Sequence, residues 1–139
     1  MSPEELKGQL GGVITFPVTI FKEDLSLDIE GYRQNVAEML KFPLCAVVAA
    51  GGTGEMYSLT PAEHFEIVKA TIDEVGGKTK VLAGVGFNLP LATEMAKKAE
   101  EAGADGILCF PPYYPHADRE GLLNYYKAIG DATSLGLFI

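Results

Sequence analysis

Apolar residues fall along this chain in two rhythms. Five short runs, Gly12–Phe16, Leu44–Ala49, Lys80–Gly84, Gly106–Phe110 and Leu135–Ile139, are rich in β-branched or small residues and apolar on both faces. That pattern predicts strands covered on both sides, as in a parallel sheet. Between them, apolar positions recur at helical spacing. Ile29, Tyr32, Val36, Met39 and Leu40 make one such face, with Asp28 as the expected N-cap. Thr60-Pro61-Ala62-Glu63 opens the next helix as a capping box with proline at the first helical position, and Phe65, Val68, Ile72 and Val75 form its predicted face. A third helix runs from about Pro90 to Ala102, closed by Gly103 as a left-handed C-cap. A fourth starts near Asp118 and is expected to pack Leu122, Leu123, Tyr126 and Ile129. Ser2-Pro3-Glu4-Glu5 reads as a further capping box, opening a short helix ahead of the first strand.

Strands and helices thus alternate, which predicts an α/β fold with right-handed crossovers and a parallel sheet. An open, flavodoxin-like order and part of a (β/α)8 barrel both fit that alternation. Two features favour the barrel. The glycine-rich turn follows the second strand, whereas a dinucleotide fold places it after the first. The chain also stops inside the apolar run Leu135–Ile139, and a complete barrel takes about 200–250 residues. Residues 1–139 are therefore read as the N-terminal half of a TIM barrel, about four βα units plus a fifth strand of a single domain. Such a half leaves an unpaired edge at each side of the sheet. The expectation is association through those edges, or a longer natural protein.

Composition narrows the function. The 139 residues suit one domain, and 47% hydrophobic with 22% charged residues suit a soluble globular one. A diffuse net charge of −8 disfavours nucleic acid and anionic membranes as partners. Cys45 and Cys109 lie in apolar runs without CxxC spacing, against a disulfide scaffold or zinc site. The segment Met1 to Leu10 is polar with two glutamates, unlike a signal peptide, and no apolar run nears the ~20 residues of a membrane span. These features predict a cytoplasmic protein.

In a barrel the site lies at the C-terminal ends of the strands. There the chain carries Thr15–Thr19, Ala50–Thr60, Gly84–Asn88 and Pro111–His116. The Gly51-Gly52-Thr53-Gly54-Glu55 turn is the most informative. Its three glycines allow positive φ and close approach of a ligand, its N–H groups can form an anion-binding concavity, and Thr53 adds a hydroxyl. A carboxylate or phosphate would suit it. The lysine of a nucleotide-binding P-loop is missing. A tight strand-to-helix turn without a ligand would look the same in sequence.

The same turn, with Ser58-Leu59-Thr60 and Glu63 behind it, resembles the signature of the dihydrodipicolinate synthase/N-acetylneuraminate lyase family. The resemblance continues through Phe16-Pro17-Val18-Thr19, Gly84-Val85-Gly86 with Asn88, Pro112-Tyr113-Tyr114 and Glu120-Gly121, over essentially the whole chain. It implies a (β/α)8 barrel, often tetrameric, whose lysine forms a Schiff base with a 2-oxo acid and which needs no metal or organic cofactor. Gly52, where most members carry a hydroxyl residue, resembles the 5-dehydro-4-deoxyglucarate dehydratase branch. Dihydrodipicolinate synthase, a pyruvate-dependent aldolase and a non-catalytic remnant are the alternatives. By this resemblance Gly52, Thr53 and Gly54 would bind the substrate carboxylate. Tyr114 would match the loop tyrosine that assists proton transfer, or else serve as an aromatic lid. Glycine at position 52 cannot relay a proton, so any relay through Tyr114 must differ.

The resemblance places the Schiff-base lysine after a sixth strand, beyond this chain. None of the nine lysines (Lys7, Lys22, Lys41, Lys69, Lys78, Lys80, Lys97, Lys98 and Lys127) is predicted at an apolar strand end where desolvation would make it a nucleophile. The chain alone is therefore expected to be inactive. His116 sits in a loop and could act as an acid or base; His64 is expected on a helix surface and Cys109 in the core. Glu55 could act as a general acid, but is expected instead to cap the following helix or bond the amides of the turn.

Overall fold

The structure is a computed structural model that describes residues 3–114 and 117–139. Five parallel strands, β1 (Val13–Thr15), β2 (Leu44–Ala49), β3 (Lys80–Val85), β4 (Gly106–Cys109) and β5 (Gly136–Phe138), pair in sequential order. Helices α1 (Pro3–Gln9), α2 (Ile29–Met39), α3 (Pro61–Val75), α4 (Leu89–Ala102) and α5 (Arg119–Gly130) alternate with them. Sequential order settles the topology: an open flavodoxin-like sheet would reverse direction about its first strand. This is the α/β arrangement of the first half of a (β/α)8 barrel.

The strands present alternate residues to two layers. Val47, Ala49, Val81, Ala83, Val85, Ile107 and Cys109 join the helices in one core. Val48 and Leu82 face the other side with Ile14 and Leu108, and Leu6 of α1 packs against them. Two helix starts follow the expected caps: Asp28 accepts from the Gly31 N–H, and Thr60 and Glu63 form the reciprocal box. Asn88 and Asp118, not singled out as caps in the sequence, cap α4 and α5. Gly103 closes α4 at φ 93°. The Ser2 half of the expected N-terminal box lies outside the described residues.

Two helix faces differ from the sequence reading. On α3 the buried residues are His64, Ile67, Val68, Ala70, Thr71 and Val75, and Phe65 is only half-buried. On α5, Tyr125 and Ile129 are buried, Leu122 and Tyr126 half-buried and Leu123 exposed. Val68, Val75 and Ile129 are buried as expected, and Ile72 and Tyr126 pack against the core; what the reading missed is one polar side chain on each helix that turns inward. His64 Nε2 lies 2.7 Å from the Gly84 carbonyl oxygen, and the Tyr125 hydroxyl donates to the Phe87 carbonyl at 3.0 Å. Tyr32 on α2 meets Thr71 of α3 in the same way, at 2.7 Å between hydroxyls.

Candidate active site at the strand C-termini

The Gly51–Glu55 turn leaves β2 through Ala50, which takes the left-handed conformation at φ 48°. Glu55 takes it again at φ 54°. The glycines were the expected carriers of positive φ, yet Gly51, Gly52 and Gly54 are all absent from that region. Gly51 and Gly54 serve close packing instead. A Cβ on Gly51 would stand 2.9 Å from the Phe16 ring and 3.1 Å from Val48 Cγ1; on Gly54 it would stand 3.1 Å from the Pro17 carbonyl oxygen. The loop after β1 holds the turn further, since the buried Thr19 hydroxyl donates to the Gly54 carbonyl at 2.6 Å.

The turn is closed by the Glu55 N–H to Gly52 O at 3.1 Å and the Met56 N–H to Gly51 O at 3.3 Å. Among the described residues, the N–H groups of Gly52, Thr53 and Gly54 and the Thr53 hydroxyl take no hydrogen-bond partner. Gly52 and Thr53 are exposed and Gly54 is buried. Four adjacent donors therefore remain unused at a strand C-terminus, the arrangement that oriented backbone amides use to hold an anion. Glu55, expected as a cap, makes no capping bond to the short 3-10 turn Met56–Ser58 that follows it. Its left-handed backbone lies at the N-cap position of that turn, and its side chain is exposed.

Next to the turn stands an aromatic cluster that sequence reading did not single out. The Tyr57 ring lies 4.7 Å from Phe87, 5.2 Å from Tyr113 and 6.4 Å from Phe110, and its hydroxyl reaches the Pro111 carbonyl at 3.4 Å. Tyr57, Asn88, Tyr113, Tyr114 and Tyr125 line a cleft of about 730 Å³ that has neither lysine nor arginine in its wall. Burial raises the pKa of Tyr57 and, more strongly, of Tyr125, so both are neutral hydrogen-bonding phenols at neutral pH. Tyr114 stands at the rim of this cleft and is 85% exposed. His116 lies outside the described residues. Cys109 is buried in β4, and burial pushes its thiol up to about 11, as befits a core residue.

None of the nine lysines is buried. Lys80 stands at the start of β3, the end of the sheet remote from the turn, and pairs with Asp105 at 3.1 Å. Lys41, Lys69 and Lys98 pair with helix carboxylates, while Lys7, Lys22, Lys78, Lys97 and Lys127 are exposed. No group of three or more metal-ligating side chains occurs among the described residues, and no helix there is long and apolar enough to cross a membrane.

His64, expected at the surface, is the one buried histidine of the described chain. Because a carbonyl can only accept, its Nε2 carries the proton and donates to Gly84, tying α3 to the end of β3 beside the site. Burial lowers its pKa below the ordinary 6.5, outweighing the opposing pull of the Gly84 carbonyl. The folded imidazole is thus neutral, and the unfolded chain takes up the proton first as pH falls. Its contribution to stability is full above about 6.5 and is lost as pH drops below that value toward the depressed folded one. His64→Gln keeps a donor for Gly84 without titrating. Urea unfolding between about pH 5 and pH 7.5 is expected to show a shallower pH slope for the variant; identical slopes would contradict this role.

Comparison with known proteins agrees with this fold. Residues 9–139 match the Dihydrodipicolinate synthetase family. A protein of Pseudarthrobacter chlorophenolicus named "Probable 5-dehydro-4-deoxyglucarate dehydratase" is 48% identical over 99% of this chain and 46% of its own length. Dihydrodipicolinate synthase from Bacillus clausii superimposes with a TM-score of 0.91 at 30% identity, over 95% of this chain and 45% of that one. YagE of E. coli K12, a prophage protein of the dihydrodipicolinic acid synthase family solved in complex with pyruvate, superimposes with a TM-score of 0.87 at 31% identity, over 91% of this chain and 43% of its own. This chain spans a little under half the length of these relatives. It belongs to the dihydrodipicolinate synthetase family.

Proposed function

We propose that this chain is the carboxylate-holding half of a lyase acting on a 2-oxo sugar acid, with 5-dehydro-4-deoxyglucarate as the substrate. The observation that carries the reading is the Gly52–Gly54 run of unpartnered N–H groups beside the free Thr53 hydroxyl, at the C-terminal end of β2. The similarity to proteins named as that dehydratase, 44% and 48% identical over the whole chain, supports the choice of substrate. In this reading the turn fixes the carboxylate adjoining the 2-oxo group. A lysine from the part of the barrel that follows forms an imine with the oxo carbon, and the imine takes up the electron pair released at the neighbouring carbons. One water and one carbon dioxide leave, and 2,5-dioxopentanoate remains. Electrons stay within the substrate, with the imine as their sink, so the step balances without a redox partner.

Residues 1–139 continued by the C-terminal half of the Pseudarthrobacter chlorophenolicus relative give a barrel in which the reading is tested. Carbon dioxide and 2,5-dioxopentanoate in equal amounts, without pyruvate, is the expected outcome. Pyruvate release from the sugar acid would identify an aldolase instead, and condensation of pyruvate with an aldehyde would identify a synthase. In the same protein Thr53→Val is expected to weaken 2-oxo acid binding by roughly 1.5–3 kcal/mol, the cost of one hydrogen bond to a charged group. Unchanged affinity in titration calorimetry would remove Thr53 from the site.

A further inference from the structure

The glycines around the site fall into two kinds. A Cβ on Gly51, Gly54, Gly84 or Gly86 would come within 3.1 Å of another atom: Phe16 Cδ1, the Pro17 oxygen, the Ala50 oxygen and Met56 Cε respectively. Gly52 is different. Its backbone lies outside the left-handed region, it is exposed, and the one described heavy atom within 4 Å of its Cβ position is Phe110 Cε1, at 4.0 Å. Neither conformation nor packing within the chain requires glycine there. Glycine also carries a cost, because it leaves the unfolded chain more freedom than any other residue.

We infer that Gly52 is a specificity-determining position, whose missing side chain leaves room beside the Phe110 ring for the hydroxylated distal part of a long 2-oxo acid. The inference rests on the proposed carboxylate-holding role of the turn. With the carboxylate held by Thr53 and the adjoining amides, the rest of the substrate extends past residue 52. On one side of that space stands the aromatic wall of Phe110, suited to the C–H groups of a carbon chain. A threonine at position 52 would place its methyl and hydroxyl in the same volume. Pyruvate ends at its methyl group and makes little use of that room.

The test compares wild type, Gly52→Ala and Gly52→Thr in the completed barrel, with thermal melts to verify folding. The KM for 5-dehydro-4-deoxyglucarate is set against the Kd for pyruvate in each protein. Gly52→Thr is expected to raise the ratio of the two by about tenfold or more, and Gly52→Ala by less, the scale set by one or two misplaced heavy atoms in a fitted pocket. An unchanged ratio overturns the inference, whether both ligands weaken equally or neither does. If wild type binds pyruvate but does not turn over the sugar acid, the proposed substrate fails and the inference fails with it. Turnover by wild type with an unchanged ratio overturns the inference alone. Should the hybrid barrel not assemble, the ratio of the two Kd values, for the sugar acid and for pyruvate, is read on the 139-residue chain from ligand-induced shifts of the Thr53 and Gly54 amide resonances. A ratio unaffected by Gly52→Thr overturns it there too.

Discussion

Gly84→Ala is expected to destabilise the protein by at least about 3 kcal/mol, more than any other single methyl group added at this site. The added Cβ would stand 2.1 Å from the Ala50 carbonyl oxygen and 2.9 Å from its carbonyl carbon. Both are backbone atoms, so no rotamer change relieves the clash. Neither strand can yield easily. Gly84 lies in β3, hydrogen-bonded to β2 and β4 on its two sides, and its carbonyl accepts from the buried His64. Ala50 is already in the left-handed region at φ 48°, a conformation that costs an alanine roughly 1–2 kcal/mol and persists because its surroundings hold it. That conformation is where the chain turns from β2 into the Gly51–Glu55 loop, so moving Ala50 aside would also displace the unpartnered N–H groups. Urea unfolding of wild type and variant side by side measures the difference. A loss below about 0.5 kcal/mol, the range of an uninvolved surface position, would show that the two strands can separate freely here.

Apolar runs located all five strands, because residues covered on both faces leave no polar alternation to blur the signal. Caps at Asp28, Thr60 and Gly103 were legible because the residue at a helix end acts through its own side chain or backbone, within three or four positions. His64 was misread because its partner, the Gly84 carbonyl, lies 20 residues away. Histidine on a helix between Glu63 and Phe65 gives no local sign of such an acceptor. On α5, Ile129 and Tyr126 face the core as expected, whereas Tyr125 was missed for the same kind of reason, since it turns inward to reach Phe87, and Leu123 is exposed. In the glycine-rich turn the motif was visible but the division of labour was not. Sequence offers three equivalent glycines, whereas the structure gives Gly51 and Gly54 packing roles, leaves Gly52 unconstrained, and assigns the left-handed backbone to Ala50 and Glu55. Tyr57 lacked any helical or strand periodicity that would have drawn attention to it.

The second large effect follows from where the cations stand. An amine becomes a nucleophile at neutral pH when burial or neighbouring positive charge lowers its pKa. All nine lysines of this chain are partly or fully exposed, and Lys41, Lys69, Lys80 and Lys98 are paired with carboxylates. In the proposed function the unused donors of the Gly51–Glu55 turn orient a 2-oxo acid but find no amine on this chain to condense with it. Binding and bond making are separable, and borohydride separates them, because it reduces an imine to a stable secondary amine on the protein, whereas pyruvate held without a covalent bond is at most reduced to lactate and adds no mass to the chain. The decisive measurement is the intact mass of the 139-residue chain, and of the completed barrel, after incubation with pyruvate and borohydride. The account predicts no adduct on the chain alone, and one pyruvyl adduct on the completed barrel, at a lysine outside residues 1–139. A borohydride-stable adduct on one specific lysine of this chain would contradict it.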